Sequence, residues 1–96
     1  MWDQVGRLSA YHGDVPPEVR LLKLTEEVGE VADAFIGMQG LNRRKGVCKT
    51  RDDLLAELAD VIITAAVAMS GFTGDVDKAR GHLERRLVAV TERAGL

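Results

Sequence analysis

The chain has 96 residues, 46% of them hydrophobic and 29% charged. That length suits one domain rather than two independent cores, and so many charges are not expected of a membrane protein. A formal net charge of −2 gives no global field for nucleic acid or for an anionic membrane surface.

Aromatic residues make up only 4% of the chain, and Ala, Leu and Val supply most of the apolar mass, a composition that favours helix over sheet. Cys48 is the sole cysteine, so no intrachain disulfide forms and a reducing compartment is compatible. Met1-Trp2-Asp3-Gln4 has neither a basic nor an apolar signal region. The least polar run, Val61 to Met69, is shorter than the roughly 20 apolar residues that span a bilayer. A soluble cytoplasmic protein is the expectation.

Four helices are predicted. The first runs from about Trp2 to Tyr11, with Val5 and Leu8 as a weak apolar stripe before His12-Gly13. Pro16-Pro17 opens the second, because proline suits a first helical turn; Asp14 is a poor cap for it, since neither proline has an N–H to donate. This helix extends to about Met38. Leu21, Leu24, Val28, Val31, Phe35 and Met38 step by threes and fours along it, marking a core stripe. Gly40 and Gly46 bracket a basic loop, Leu41-Asn42-Arg43-Arg44-Lys45. Thr50-Arg51-Asp52-Asp53 is close to a capping box with Asp in place of Glu, and the third helix continues to about Ser70, where Gly71 and Gly74 end it. A fourth runs from about Asp75 to Arg93 on a stripe of Leu83, Leu87 and Val90. The expected fold is all-α: a single domain over residues 1–96 forming an antiparallel four-helix bundle, completed by oligomerisation because so small a chain gains core that way.

Two acidic clusters interrupt these apolar helices: Glu26-Glu27-Val28-Gly29-Glu30 and Glu57-Leu58-Ala59-Asp60. A helix advances about 100° per residue. Lys23, Glu26, Glu30 and Asp33 therefore share one side of the second helix, with Glu27 turned towards the apolar seam. On the third, Asp53, Glu57, Asp60 and Thr64 form a narrow polar ladder between apolar flanks. Glu27 and Glu30 are i,i+3 neighbours that converge on one point. If the two helices pack antiparallel, both carboxylate pairs lie near mid-helix and face each other. Four ionised carboxylates at close range repel, so either some are protonated or a cation neutralises them. Oxygen-only ligands suit Mg²⁺ or Mn²⁺ rather than zinc, and Mg²⁺ commonly takes further ligands from substrate phosphates. Lys23 and the loop residues Arg43, Arg44 and Lys45 are candidate phosphate contacts. Metal plus phosphate clamp points to phosphoryl or nucleotidyl chemistry.

The stretch from Leu22 to Ala34, followed by Glu57-Leu58-Ala59-Asp60-Val61-Ile62, resembles the MazG-type nucleoside triphosphate pyrophosphohydrolases of the all-α NTP pyrophosphatase superfamily. The superfamily signature is Glu-x-x-Glu, a variable gap, then Glu-x-x-Asp. Here it reads Glu27-x-x-Glu30, twenty-six residues, then Glu57-x-x-Asp60, within a resemblance that covers roughly residues 20 to 70. It implies Glu27, Glu30, Glu57 and Asp60 as Mg²⁺ ligands. Glu26, the first acid of the family's Glu-Glu-x-x-Glu, is implied to bind metal or to orient water. Lys23 stands where the family often has a basic residue. The implied reaction is hydrolysis between the α- and β-phosphates of a (deoxy)nucleoside triphosphate, releasing the monophosphate and pyrophosphate. The water is held by metal and a carboxylate, Glu26 or Glu27. Compact relatives form dimers or tetramers with the active site close to a subunit interface.

Plainer readings stand beside these. The acidic pairs have the spacing of ordinary solvated helix surface, Arg43-Arg44-Lys45 that of a solvated loop, and Lys23 that of a partner for Glu26 or Glu27. Trp2 is either a platform for a nucleobase or a core anchor. His12 and His82 lack the Glu-x-x-His context of a di-iron bundle, and Cys48 reads as a passive thiol. Phosphoribosyl-ATP pyrophosphohydrolase, or a catalytically silent module that senses nucleotide or binds a partner, are the rival functions.

Overall fold

A computed structural model describes residues 1–96, and the chain is an all-α four-helix bundle without strands: α1 (Trp2–Tyr11), α2 (Pro17–Gln39), α3 (Arg51–Thr73) and α4 (Val76–Arg93). Helix α3 is the central element, and each of the other three packs on it. Its capping box forms as expected: Thr50 Oγ1 accepts from the Asp53 backbone N–H at 3.2 Å, and Asp53 Oδ2 accepts from the Thr50 N–H at 2.8 Å. By length and composition alone α3 would pass as a membrane span. Its apolar stretch is thus longer than the run from Val61 to Met69; α1, α2 and α4 pack on it, and 22% of that stretch is buried within the chain.

Helices α2 and α3 are antiparallel. Pro17, at the start of α2, meets Gly71 near the end of α3; Glu27 meets Glu57 and Asp60 in the middle; Gly37, near the end of α2, meets Cys48 and Lys49 just before α3. Gly40 ends α2 with a left-handed φ of 66°, its N–H bonded to the Ile36 carbonyl. The basic loop is folded rather than open. The Asn42 side chain accepts from the N–H groups of Arg44 and Lys45, and the Gly37 carbonyl accepts from Cys48 and Lys49. No side chain caps the start of α2, in keeping with the poor geometry of Asp14 before two prolines.

Two expectations about packing need correction. Helix α3 runs through Gly71 and stops only at Gly74, whose φ of 74° breaks it. Gly71 serves close approach instead, because a Cβ there would lie 3.3 Å from the Pro17 ring. The second correction concerns the stripe on α2. Leu24, Val31 and Met38 are half-buried, whereas Leu21, Val28 and Phe35, spaced by seven, are about half exposed. Helix α4 covers only part of that flank, through His82 near Leu21.

The buried core is made of small residues: Val5, Ala34, Ala66, Val67, Ala68 and Ala79. Trp2 and Val76 pack onto Val5, Ala66 and Val67, so Trp2 is an anchor for α1. The Asp75 side chain caps α4 through the Asp77 N–H. The radius of gyration is 16.1 Å, with extents of 45 × 41 × 21 Å. A closed globule of this length has a radius of about 12–13 Å, so the chain is a flat slab with apolar flanks.

Candidate metal centre

Glu27, Glu57 and Asp60 each bring a carboxylate oxygen to one point, all within 4.8 Å of one another. The antiparallel α2–α3 pair forces this meeting, since mid-helix residues of the two strands of the hairpin lie opposite. Glu27 is only 7% exposed, Glu57 is half-buried and Asp60 is open to solvent. One oxygen each of Glu27 and Glu57 is fully buried without any hydrogen-bond partner. Such orphaned acceptors are costly and call for a donor or a cation.

Burial pushes the Glu27 carboxyl above its usual range; Glu30 and, more weakly, Asp60 push it the same way, and Lys23 opposes them. Lys23 Nζ lies 3.5 Å from carboxylate oxygens of both Glu26 and Glu27, and these two acids raise its own pKa. With its side chain 49% exposed, Lys23 offsets the buried charge only in part. The donor set is oxygen-only and anionic, and it holds acceptors that the chain leaves unpaired. It therefore fits a hard divalent cation.

Of the four expected ligands, three converge. Glu30 is exposed beside Glu27, close enough to raise its pKa but outside the three-carboxylate cluster. Glu26 is exposed on the same edge and is engaged with Lys23. Arg43, Arg44 and Lys45 are exposed at the far end of the hairpin. Twelve residues of α2 separate Glu27 from Gln39, about 18 Å of helix, so in one protomer this loop is remote from the cluster.

The largest cavity lies away from the carboxylates, where α1, the start of α2, the end of α3 and the start of α4 meet, with a volume of about 580 Å³. A second, of about 310 Å³, is lined by Lys23 and Thr64 at one end and shares His12, Val15, Arg20 and Val67 with the first. Sequence reasoning missed Arg20 and gave His12 no role. The available signal was Arg20 standing one helical turn before Lys23, which places two cations on one side of α2.

Fold and site together define an all-α bundle with an acidic centre able to chelate a divalent cation. No family model, no curated protein and no solved structure matches the chain.

Proposed function

We propose that the chain is a Mg²⁺-dependent nucleotide pyrophosphohydrolase of the MazG type, hydrolysing (deoxy)nucleoside triphosphates to the monophosphate and pyrophosphate. The observation that carries this reading is the cluster itself: three convergent carboxylates, two of them with buried oxygens that no protein group satisfies. The spacing of those acids in the sequence, shared with the family signature, supports it.

Glu27, Glu57 and Asp60 would hold the cation, Mg²⁺ or Mn²⁺, with Glu30, beside Glu27, as the fourth acid of the signature. A bound divalent cation supplies positive charge to phosphate oxygens as bonds change. Lys23 stands at the edge of the cluster, where its ammonium neutralises a phosphate once Glu27 has another counter-ion. Glu26, exposed on the same edge, orients a water and takes its proton. Water oxygen then bonds to the α-phosphorus, the bond from that phosphorus to the bridging oxygen breaks, and pyrophosphate leaves with the bridging oxygen.

The exposed flank of Leu21, Val28, Phe35, Leu58 and Phe72 is assigned to a second copy of the chain, in a homodimer or a homotetramer. A core of alanines and valines is too small to stand alone, and burying this flank enlarges it. Arg43, Arg44 and Lys45 act on phosphate only if a neighbouring copy brings its loop over the cluster.

The test is pyrophosphate release from a panel of triphosphates and phosphoribosyl-ATP, with Mg²⁺ and with EDTA. Glu30→Gln and Asp60→Asn are each expected to abolish release while helix content stays intact. Full Mg²⁺-dependent activity in both variants would sink the assignment. Metal binding without release from any substrate would favour the silent module.

A further inference from the structure

The two cavities form one groove, because His12, Val15, Arg20 and Val67 line both. Its narrower part ends at Lys23, which is paired with Glu27, and at Thr64, one turn beyond Asp60. Its wider part reaches Ser70, Gly74 and Asp75. From Asp60 to Ser70 is ten residues of α3, about 15 Å along the axis. An extended nucleoside triphosphate has that reach from its terminal phosphates to its base.

Arg20 stands at the waist of this groove. It is half-buried, its one hydrogen bond runs from the guanidinium to the His12 carbonyl at 3.3 Å, and no carboxylate lies within ion-pair distance. A guanidinium has five N–H donors, so most of this one's are unused by the protein. Asp75, at the wide end, spends one carboxylate oxygen on the Asp77 N–H and keeps the other free.

No Phe, Tyr or Trp lines either cavity and His12 supplies the one aromatic ring, so discrimination between bases falls to the groups that meet their edges. No Asn or Gln is present either, and those are the side chains that match the mixed donor–acceptor edge of adenine. An arginine matches the paired acceptors O6 and N7 of guanine, and a carboxylate matches its donors N1–H and the 2-amino group. Cytosine offers a carboxylate a single amino group and fills less of the cavity.

We propose that this groove receives the nucleoside end of the substrate and selects guanine, with Arg20 on the O6/N7 edge and Asp75 on the donor edge. The proposal rests on the reading of the acidic cluster as a triphosphate site. Arg20 and Asp75 are specificity residues, outside the hydrolytic step.

The experiment measures binding of GMP, IMP, AMP and CMP to the full chain by calorimetry in EDTA, beside pyrophosphate release from GTP, ATP, CTP and UTP with Mg²⁺. GMP should bind at least about tenfold more tightly than AMP or CMP, the discrimination one bidentate pair provides. IMP, lacking the 2-amino group, should fall between. Arg20→Lys keeps the charge but loses the fork, and Arg20→Met loses both; each should erase the preference with helix content unchanged. Asp75→Asn keeps a capping oxygen and should bring GMP down to the affinity of IMP. Equal affinity for all four monophosphates, or a preference indifferent to Arg20, overturns the guanine assignment even if every triphosphate is hydrolysed. A guanine preference that depends on Arg20, without pyrophosphate release from any triphosphate, upholds the pocket and removes the enzyme.

Discussion

Replacing Glu27 by Gln should move stability in opposite directions with and without metal. The carboxylate is 7% exposed and one of its oxygens is buried without a partner. Leaving such a group unsatisfied costs about 1–3 kcal/mol. The compensating pair to Lys23, half-exposed at 3.5 Å, is screened by solvent and offsets little of that cost. Glutamine has nearly the same shape, carries no charge and offers an N–H₂ to Glu30, Glu57 or Asp60. In EDTA the variant should therefore be more stable by about 1 kcal/mol, roughly 4–8 °C in Tm for a domain of this size. Divalent metal reverses the order. At a hundredfold excess over Kd it adds about 2.7 kcal/mol to the wild type and little to a variant short of one ligand. The assay is thermal unfolding by circular dichroism at one fixed protein concentration, in EDTA and in Mg²⁺ or Mn²⁺. A variant that melts below the wild type in EDTA, with a wild-type Tm indifferent to either metal, would refute both the strain and the site. The pH dependence supplies an internal check. Because the folded carboxyl is held above its usual value of 4.5, the unfolded chain gives up this proton first as pH rises. Wild-type stability from this group is complete below about pH 4.5 and is lost as pH climbs through the raised folded value, so the advantage of Gln should open in that window.

Asp53 should behave in the opposite sense. Its hydrogen bonds from the Thr50 backbone N–H and hydroxyl hold its pKa below the usual 3.8, so its contribution is complete above that value and is lost as pH falls through the lower folded one. Acid titration of helix content should show the wild type and Asp53→Ala converging at the acid end. Thr50→Ala should cost about 1 kcal/mol in urea unfolding at neutral pH, by removing the cap of α3. Gly71→Ala gains helix propensity, but its Cβ meets the rigid Pro17 ring at 3.3 Å; a net loss of about 1 kcal/mol is expected, and a gain would show that α2 shifts freely. The proposed association through the exposed flank predicts a wild type that sediments as a dimer or larger at micromolar concentration and a monomeric Phe72→Glu; a monomeric wild type, or an unchanged mass in the variant, would remove this flank as the interface.

What was legible in the sequence follows the range of the interactions involved. The capping box at Thr50 and Asp53 and the glycine stop at Gly40 are local chemistry and form as expected, whereas α3 runs past Ser70 to Gly74. The convergence of Glu27 with Glu57 and Asp60 was legible too, because an antiparallel hairpin puts equivalent mid-helix turns opposite each other. Periodicity alone misread Leu21, Val28 and Phe35 as core. It reports that a face is apolar and is silent about whether its partner lies in the same chain. Gly71 looked like a stop because a glycine that permits close approach and one that permits positive φ are the same letter. The groove was not legible at all. Its walls come from α1, α2, α3 and the start of α4, residues as distant as Ser9 and Ser70, whose hydroxyls meet at 3.2 Å.

The arrangement of charge around α2 explains why so small a chain keeps an unfavourable buried acid. The buried face of α2 carries Glu27 and Ala34, flanked by the half-buried Leu24, Val31 and Met38. Glu27 is thus fixed at the centre of the α2–α3 contact, and swinging it to solvent would undo the packing of its own helix. One edge of that contact carries Lys23, Glu26, Glu30 and Asp60, and the groove beside the end of α1 reaches it at Lys23. The opposite edge carries Leu21, Val28, Phe35, Leu58 and Phe72, with α4 covering only part of it. Helical spacing separates these two edges on both helices, so apolar association on one leaves the other open to metal and ligand. Each edge is incomplete alone, one lacking positive charge and the other lacking apolar cover. The proposed cation and the proposed second copy of the chain would therefore act on different parts of the same hairpin, and loss of either should weaken the fold without abolishing binding of the other.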